Sequence, residues 1–267
     1  MQRLCLLSLC FAVTGATTSA AEPEMKRVEW KVGERLREAL VCAPANATTT
    51  ARPLVFVYHG HGGTMRHASR SIGVHTHWPE AICVYPQGLN TPVKLTDPEG
   101  KKSGWQITAG EQNDRDLNFF DAMLKSLRAD YKVDERRVYV TGHSNGGRFT
   151  QLLWAERGGV FAAVAPSGTT AAALTKSFEP KPCLHIAGEK DELVKFAWQK
   201  QTMEAVRKLN GCESEGTPWD KEKTPAGVLY ASKAGTPFVE LVYPGGHTFP
   251  ADGAARIVTF FKQHAKK

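Results

Sequence analysis

The chain has no block of about five or more like charges, no internal repeat and no low-complexity tract. Without a charged block, the excess of 34 Lys and Arg over 27 Asp and Glu (+7) marks no nucleic-acid surface, although it suits an acidic polymer as substrate. No stretch reaches the roughly eighteen apolar residues that a membrane span needs, so no membrane partner is expected after processing. A composition of 42% hydrophobic and 23% charged residues excludes disorder, collagen and coiled coil as the main state. Residues 59–77 hold His59, His61, His67, His75 and His77 but no Asp or Glu. Imidazoles and carboxylates converging on one ion are therefore not indicated there, and no metal is expected. A long apolar insertion like a lipase lid is also missing, which disfavours long-chain fats.

The amino end is read as an address. Arg3 precedes an apolar run over 4–13, and Thr18, Ser19, Ala20 and Ala21 offer a cleavage point. This is the pattern of a secretory signal peptide over residues 1–21, so an extracellular or periplasmic location is expected. A lipoprotein anchor at Cys10 would need a small residue before it, where Leu9 stands. Processing removes Cys5 and Cys10 and leaves Cys42, Cys83, Cys183 and Cys212. These allow two disulfides or separate buried thiols. Lacking a long linker, residues 22–267 are expected to form one domain.

Short runs that are apolar on both faces recur at 53–58, 81–85, 137–141, 160–166, 182–187 and 238–243. Helix-period segments at 114–129, 145–156, 193–209 and 251–264 alternate with them. Buried strands alternating with helices mean an α/β fold with a mainly parallel sheet covered on both faces. Residues 28–32 and 36–42 fit an antiparallel hairpin at one edge. A helix over 193–209 running back along strand 182–187 would return Cys212 to Cys183, the candidate disulfide pair. Residues 89–113 have little periodicity and follow a strand's carboxyl end, where such sheets bind ligands. They are expected to form a loop over the site.

Gly142-His143-Ser144-Asn145-Gly146 is a G-x-S-x-G pentapeptide between a strand and a helix, the context a nucleophile elbow requires. Its glycines let a sharp turn press against neighbouring backbone. Ser144 is then presented at the amino end of a helix, whose dipole favours developing negative charge. A serine hydroxyl needs a base. Of nine histidines, His247 alone follows a late strand in a Gly-rich loop; His143 points elsewhere on the elbow, and His185 and His264 fall within elements. The third member, a carboxylate that holds the imidazole tautomer, is expected between them after a strand. Asp191 stands there, with Glu189 and Glu192 as competitors. The order Ser144, Asp191, His247 is that of an α/β-hydrolase. Two backbone N–H donors should hold the oxyanion: that of Asn145, and one from His59-Gly60-His61-Gly62-Gly63, with His61 preferred over Gly62.

The stretches YHGHGGT, VYPQG, NDRDLNFF, VDERRVYVTGHSNGG, VFAAVAPSG and GGHTFP resemble the polyhydroxybutyrate-depolymerase-like esterases. That secreted α/β-hydrolase group also includes feruloyl and acetylxylan esterases. The resemblance spans about residues 53–250. It implies carboxyl-ester hydrolysis without metal or organic cofactor, with Ser144 as nucleophile, Asp191 as acid and His247 as base. Family members often carry Cys or Cys-Gly where His61-Gly62 stands here, and Trp where Phe249 stands. Those departures bear on substrate, not on chemistry. The expected partner is a polymeric ester: feruloyl or acetyl esters of polysaccharide first, hydroxyalkanoate polyester second. Trp105 on the long loop and Trp198 after the acid loop are candidate substrate contacts; anchoring or core packing is the alternative for each. A serine peptidase or a non-catalytic polymer-binding protein are the rival classes.

Overall fold

The structure is a computed structural model that describes residues 24–94 and 96–267. The signal-peptide assignment lies outside the described residues. In chain order the strands and helices are β1 Met25–Val32, β2 Arg35–Cys42, β3 Arg52–Tyr58, α1 Met65–Ser71, α2 Val74–His77, β4 Ile82–Pro86, β5 Leu89–Asn90 and β6 Ser103–Gly104. There follow α3 Arg115–Asp130, β7 Val133–His143, α4 Asn145–Arg157, β8 Ala163–Ser167 and β9 Cys183–Gly188. The last are α5 Phe196–Leu209, β10 Thr217–Pro218, β11 Val228–Tyr230, β12 Phe238–Tyr243 and α6 Gly253–Lys262.

Ten strands form one sheet in the order β1-β2-β4-β3-β7-β8-β9-β12-β11-β10. From β4 through β12 all neighbours are parallel, and the β1–β2 hairpin closes one edge antiparallel, as the sequence pattern predicts. Side chains alternate between two cores, because successive residues of a strand face opposite ways. Phe56, Val84 and Val140 enter the core under α3, α4 and α5, beside Phe120, Leu152 and Met203. Val55, Val57 and Tyr139 enter the other, beside Met65, Val74, Ile257 and Phe260 of α1, α2 and α6. Such double coverage explains why the strand runs carry no polar alternation. The chain has the α/β-hydrolase fold.

Several boundaries differ from the sequence pattern. The strand expected from 160 begins at Ala163, because Gly158–Val160 makes a 3-10 turn. α5 begins at Phe196 rather than 193, because the Asp191 carboxylate holds the amides of Leu193 and Val194 in a turn. Cys183 and Cys212 do come together, yet both are free thiols.

Candidate active site

β7 ends in the elbow, and Ser144 sits at φ 58°, ψ −121° between strand and helix. That left-handed conformation is costly for a residue with a side chain and persists only where surroundings enforce it. They do so by close approach. A Cβ on Gly146 would lie 2.3 Å from Tyr58 O, and one on Gly142 would lie 2.5 Å from Gly146 O.

Ser144 Oγ stands 2.7 Å from His247 Nε2, and His247 Nδ1 stands 2.7 Å from Asp191 Oδ2. The structure thus brings together the three residues singled out by pattern. Asp191 is 4% exposed, whereas Glu189 and Glu192 are exposed and make no such contact. Its Oδ1 accepts from the amides of Leu193 (3.0 Å) and Val194 (2.9 Å), and its Oδ2 also accepts from Gln199 Nε2 (3.0 Å). A carboxylate so held leaves one lone pair direction for the imidazole N–H, which fixes the ring's tautomer and angle.

The Gly-rich loop after β3 abuts the elbow: a Cβ on Gly60 would meet His143 O at 3.4 Å and Ser144 Cβ at 3.5 Å. Gly62 N donates to Ser103 O (2.7 Å) and Gly63 N to Gly60 O (3.0 Å). Gly62 is thereby spent, while the His61 N–H has no acceptor among the described residues. Asn145 N–H is the first amide of α4, which has no intrahelical partner. The Asn145 side chain is occupied elsewhere, pairing both ways with the Trp105 backbone (2.8 and 3.0 Å).

Trp105 is a correction. It is fully buried, stacked on Phe149, edge-on to Tyr58, and its indole N–H donates to His59 O (2.9 Å). It anchors the 89–113 loop under the site and offers substrate no face. Trp198 is placed differently, on the surface and outside the cavity lining. The buried stripe of α5 carries Gln199, Thr202, Met203 and Val206, which turns Trp198 outward, 40% exposed. The long loop itself does reach the site, as expected, through Val93, Thr96, Lys102 and Ile107.

Three residues that the pattern did not single out complete the arrangement. Asp97 accepts from His61 Nε2 (3.1 Å) and from Lys102 N (2.8 Å), tying the Gly-rich loop after β3 to the long loop. Gln199 supports Asp191. His143, excluded as base, bonds Ser167 Oγ (3.1 Å) and the His247 backbone, with its ring 5.0 Å from that of His247. No sequence signal marks the first two, since a lone polar residue in a loop or helix carries no pattern. His59 is equally structural: its Nδ1–H donates to Gly60 O (2.7 Å) and its Nε2 accepts from Gly88 N (2.9 Å).

Burial pushes His59, His143 and His185 each down to about 4 from the usual 6.5. They are neutral in the fold, while the unfolded chain binds protons from about pH 6.5 downward. The stability that this neutrality confers is complete above pH 6.5 and is lost as pH falls towards 4. Each such histidine contributes a slope of up to about 1.4 kcal/mol per pH unit in that window. Urea midpoints are therefore expected to drop steeply between pH 6.5 and 4.5. A flat midpoint across that range would contradict the buried neutral assignment.

A cavity of about 920 Å³ opens over Ser144, walled by Ile72, Val93, Ile107, Leu193, Val194 and Phe249 together with the polar groups above.

Comparison with known proteins finds esterases among the relatives. The model of the Dienelactone hydrolase family matches residues 81–212, just under half of the chain. A bifunctional acetylxylan esterase/xylanase of Neocallimastix patriciarum is 25% identical over 204 residues, 73% of this chain but 28% of that protein. A probable feruloyl esterase C of Aspergillus clavatus is 27% identical over 201 residues, covering 73% of this chain and 69% of the relative. Among solved structures, an acetyl xylan esterase from Aspergillus awamori superposes with a TM-score of 0.66 at 15% identity, over 90% of this chain and 99% of that one. The chain has the α/β-hydrolase fold and is similar to carboxylic ester hydrolases, the feruloyl and acetylxylan esterases among them.

Proposed function

We propose that this chain is a secreted serine esterase, with residues 22–267 as its catalytic domain, acting on feruloyl or acetyl esters of plant polysaccharide. The observation that carries the reading is the unbroken chain Ser144 Oγ–His247–Asp191 at a strained elbow. Ser144 Oγ attacks the ester carbonyl while its proton passes to His247 Nε2, and Asp191 stabilises the imidazolium. The amides of Asn145 and His61 take the oxyanion. The imidazolium then protonates the leaving alcohol, leaving an acyl group on Ser144. Water attacks next, its proton goes to Nε2, and the acid departs as Ser144 regains its hydrogen. The names of the relatives support the choice of feruloyl or acetyl groups, and the apolar cavity walls suit an aromatic or short acyl chain. The leader pattern of residues 1–21 supports export, and no described helix is long and apolar enough to cross a membrane.

The test is hydrolysis of methyl ferulate, p-nitrophenyl acetate and p-nitrophenyl butyrate by the processed protein. In parallel, the residue that takes up a fluorophosphonate is found by peptide mass mapping. Label on Ser144 and turnover of methyl ferulate or of the acetate are the expected results. Label elsewhere would remove the nucleophile assignment, and a butyrate preference would remove the acyl assignment.

A further inference from the structure

The two fully buried arginines of this fold have carboxylates, whereas half-buried Arg52, Arg148 and Arg207 have no ion pair among the described residues, and of these three Arg148 alone lines the cavity over Ser144. Arg37 pairs with Asp116, and Arg256 with Asp252 and Asp220. Arg148 lines the cavity over Ser144 and has no ion-pair partner among the described residues. Its recorded hydrogen bonds both leave from Nη1, to the carbonyls of Thr170 (2.8 Å) and Ala171. Nε and Nη2 have no protein acceptor, and neither is sealed from solvent. The guanidinium is thus fixed by one nitrogen while the rest of its donor fork stays open. Glu111 acts on it only at a distance, and one Glu111 oxygen is engaged by the amides of Ile107 and Thr108.

Its position adds to the imbalance. Arg148 N donates to Ser144 O (2.9 Å), which places Arg148 in the first turn of α4, one helical turn from the nucleophile. The amino end of a helix is the positive pole of its dipole, where a cation is disfavoured and an anion is welcome. Lys102 adds a second cation to the cavity wall, and no Asp or Glu lines it. A half-buried guanidinium with an open fork is matched by a carboxylate, which it can bind through two parallel N–H···O bonds. We infer that the preferred ester carries a carboxylate near its scissile bond, and that Arg148 is the residue that selects it.

This inference rests on the serine-esterase reading and deepens it. The probes are two matched pairs: 4-acetoxybenzoate with methyl 4-acetoxybenzoate, charged on the alcohol side, and monomethyl adipate with methyl hexanoate, charged on the acyl side. Each kcat/KM is divided by the uncatalysed rate of the same ester. The wild-type protein is expected to favour the anionic member of one pair by about tenfold or more, and the pair that responds tells which side of the ester faces Arg148. The preference should shrink with added salt. Arg148→Gln is expected to bring the ratio to about one, with Arg148→Lys between the two. Because Arg148→Gln also weakens the hold on the 170–171 loop, the ratio within one variant is the readout. A wild-type ratio near one in both pairs overturns the proposal and leaves the esterase reading intact. A proportional loss on charged and neutral esters in the variants reduces Arg148 to a loop anchor and also overturns it. If folded protein cleaves no member of either pair, both readings fall.

Discussion

Ser144→Ala is expected to lower kcat for any ester by roughly a million-fold, with little change in stability. The hydroxyl is half-buried at the cavity floor and its recorded bond is the one to His247, so its loss opens no core void. The elbow would survive, because alanine needs no more room at φ 58° than serine does. His247→Ala should cost about as much as Ser144→Ala, and the double variant hardly more. The two act as one unit, and removing either already abolishes the nucleophilic path. Asp191→Asn should retain more, at roughly a ten-thousandth of the parent rate, because the amide favours the wrong imidazole tautomer. What should survive in every variant is the proposed oxyanion stabilisation by the amides of Asn145 and His61, worth up to about a thousandfold over water. Steady-state hydrolysis of p-nitrophenyl acetate, with the melting temperature as fold control, reads all four variants. Additive losses in the double variant would break the single-unit argument, and more than a percent of activity in Ser144→Ala would move the nucleophile elsewhere.

How much of this was legible before any coordinates depends on what kind of signal each part leaves. The parallel strands were legible because 53–58 or 238–243 must be apolar on both faces to lie between helix layers. The elbow was legible because contact with backbone forces glycine at 142 and 146, and the chain order of serine, carboxylate and histidine follows strand order. α1 and α2 were not, since MRHASRSIGVHTH buries Met65, Ala68, Ser69, Ile72 and Val74 without a clean apolar stripe. Trp105 misleads for a different reason. Its neighbours in sequence are polar, and only the tertiary contacts with Tyr58, Phe149 and His59 decide that the ring points inward. For Cys183 and Cys212, helix direction made proximity readable, while whether two neighbouring thiols are joined depends on side-chain geometry that no pattern encodes.

Asp116→Ala is expected to cost about 3–5 kcal/mol, a large share of the roughly 5–15 kcal/mol that stabilises an ordinary domain. Asp116 and Arg37 are both nearly inaccessible, and Arg37 Nη2 donates to Asp116 Oδ1 at 2.8 Å. Burial lowers the Arg37 pKa against the pull of Asp116, so the guanidinium is already strained for want of solvent. Without the carboxylate it would keep the carbonyls of Arg115 (3.1 Å) and Gln87 (3.2 Å) and the Phe119 ring, 4.3 Å from its carbon, but no counter-charge. An unpaired buried charge costs far more than a pair is worth, so the penalty comes from the arginine left behind. Replacing both partners, as in Arg37→Met with Asp116→Leu, should therefore recover part of the loss. The effect also travels to the site. Asp116 Oδ2 accepts from Gln106 N (3.0 Å) while Gln106 Oε1 accepts from Asp116 N (3.1 Å), next to the Trp105 backbone that grips Asn145. Asp116→Ala should accordingly raise KM and lower kcat together at temperatures where the protein is still folded. Urea unfolding with an unchanged m-value measures the first effect, and a shift below about 1 kcal/mol would mean that water reaches Arg37 and the pair is not sealed.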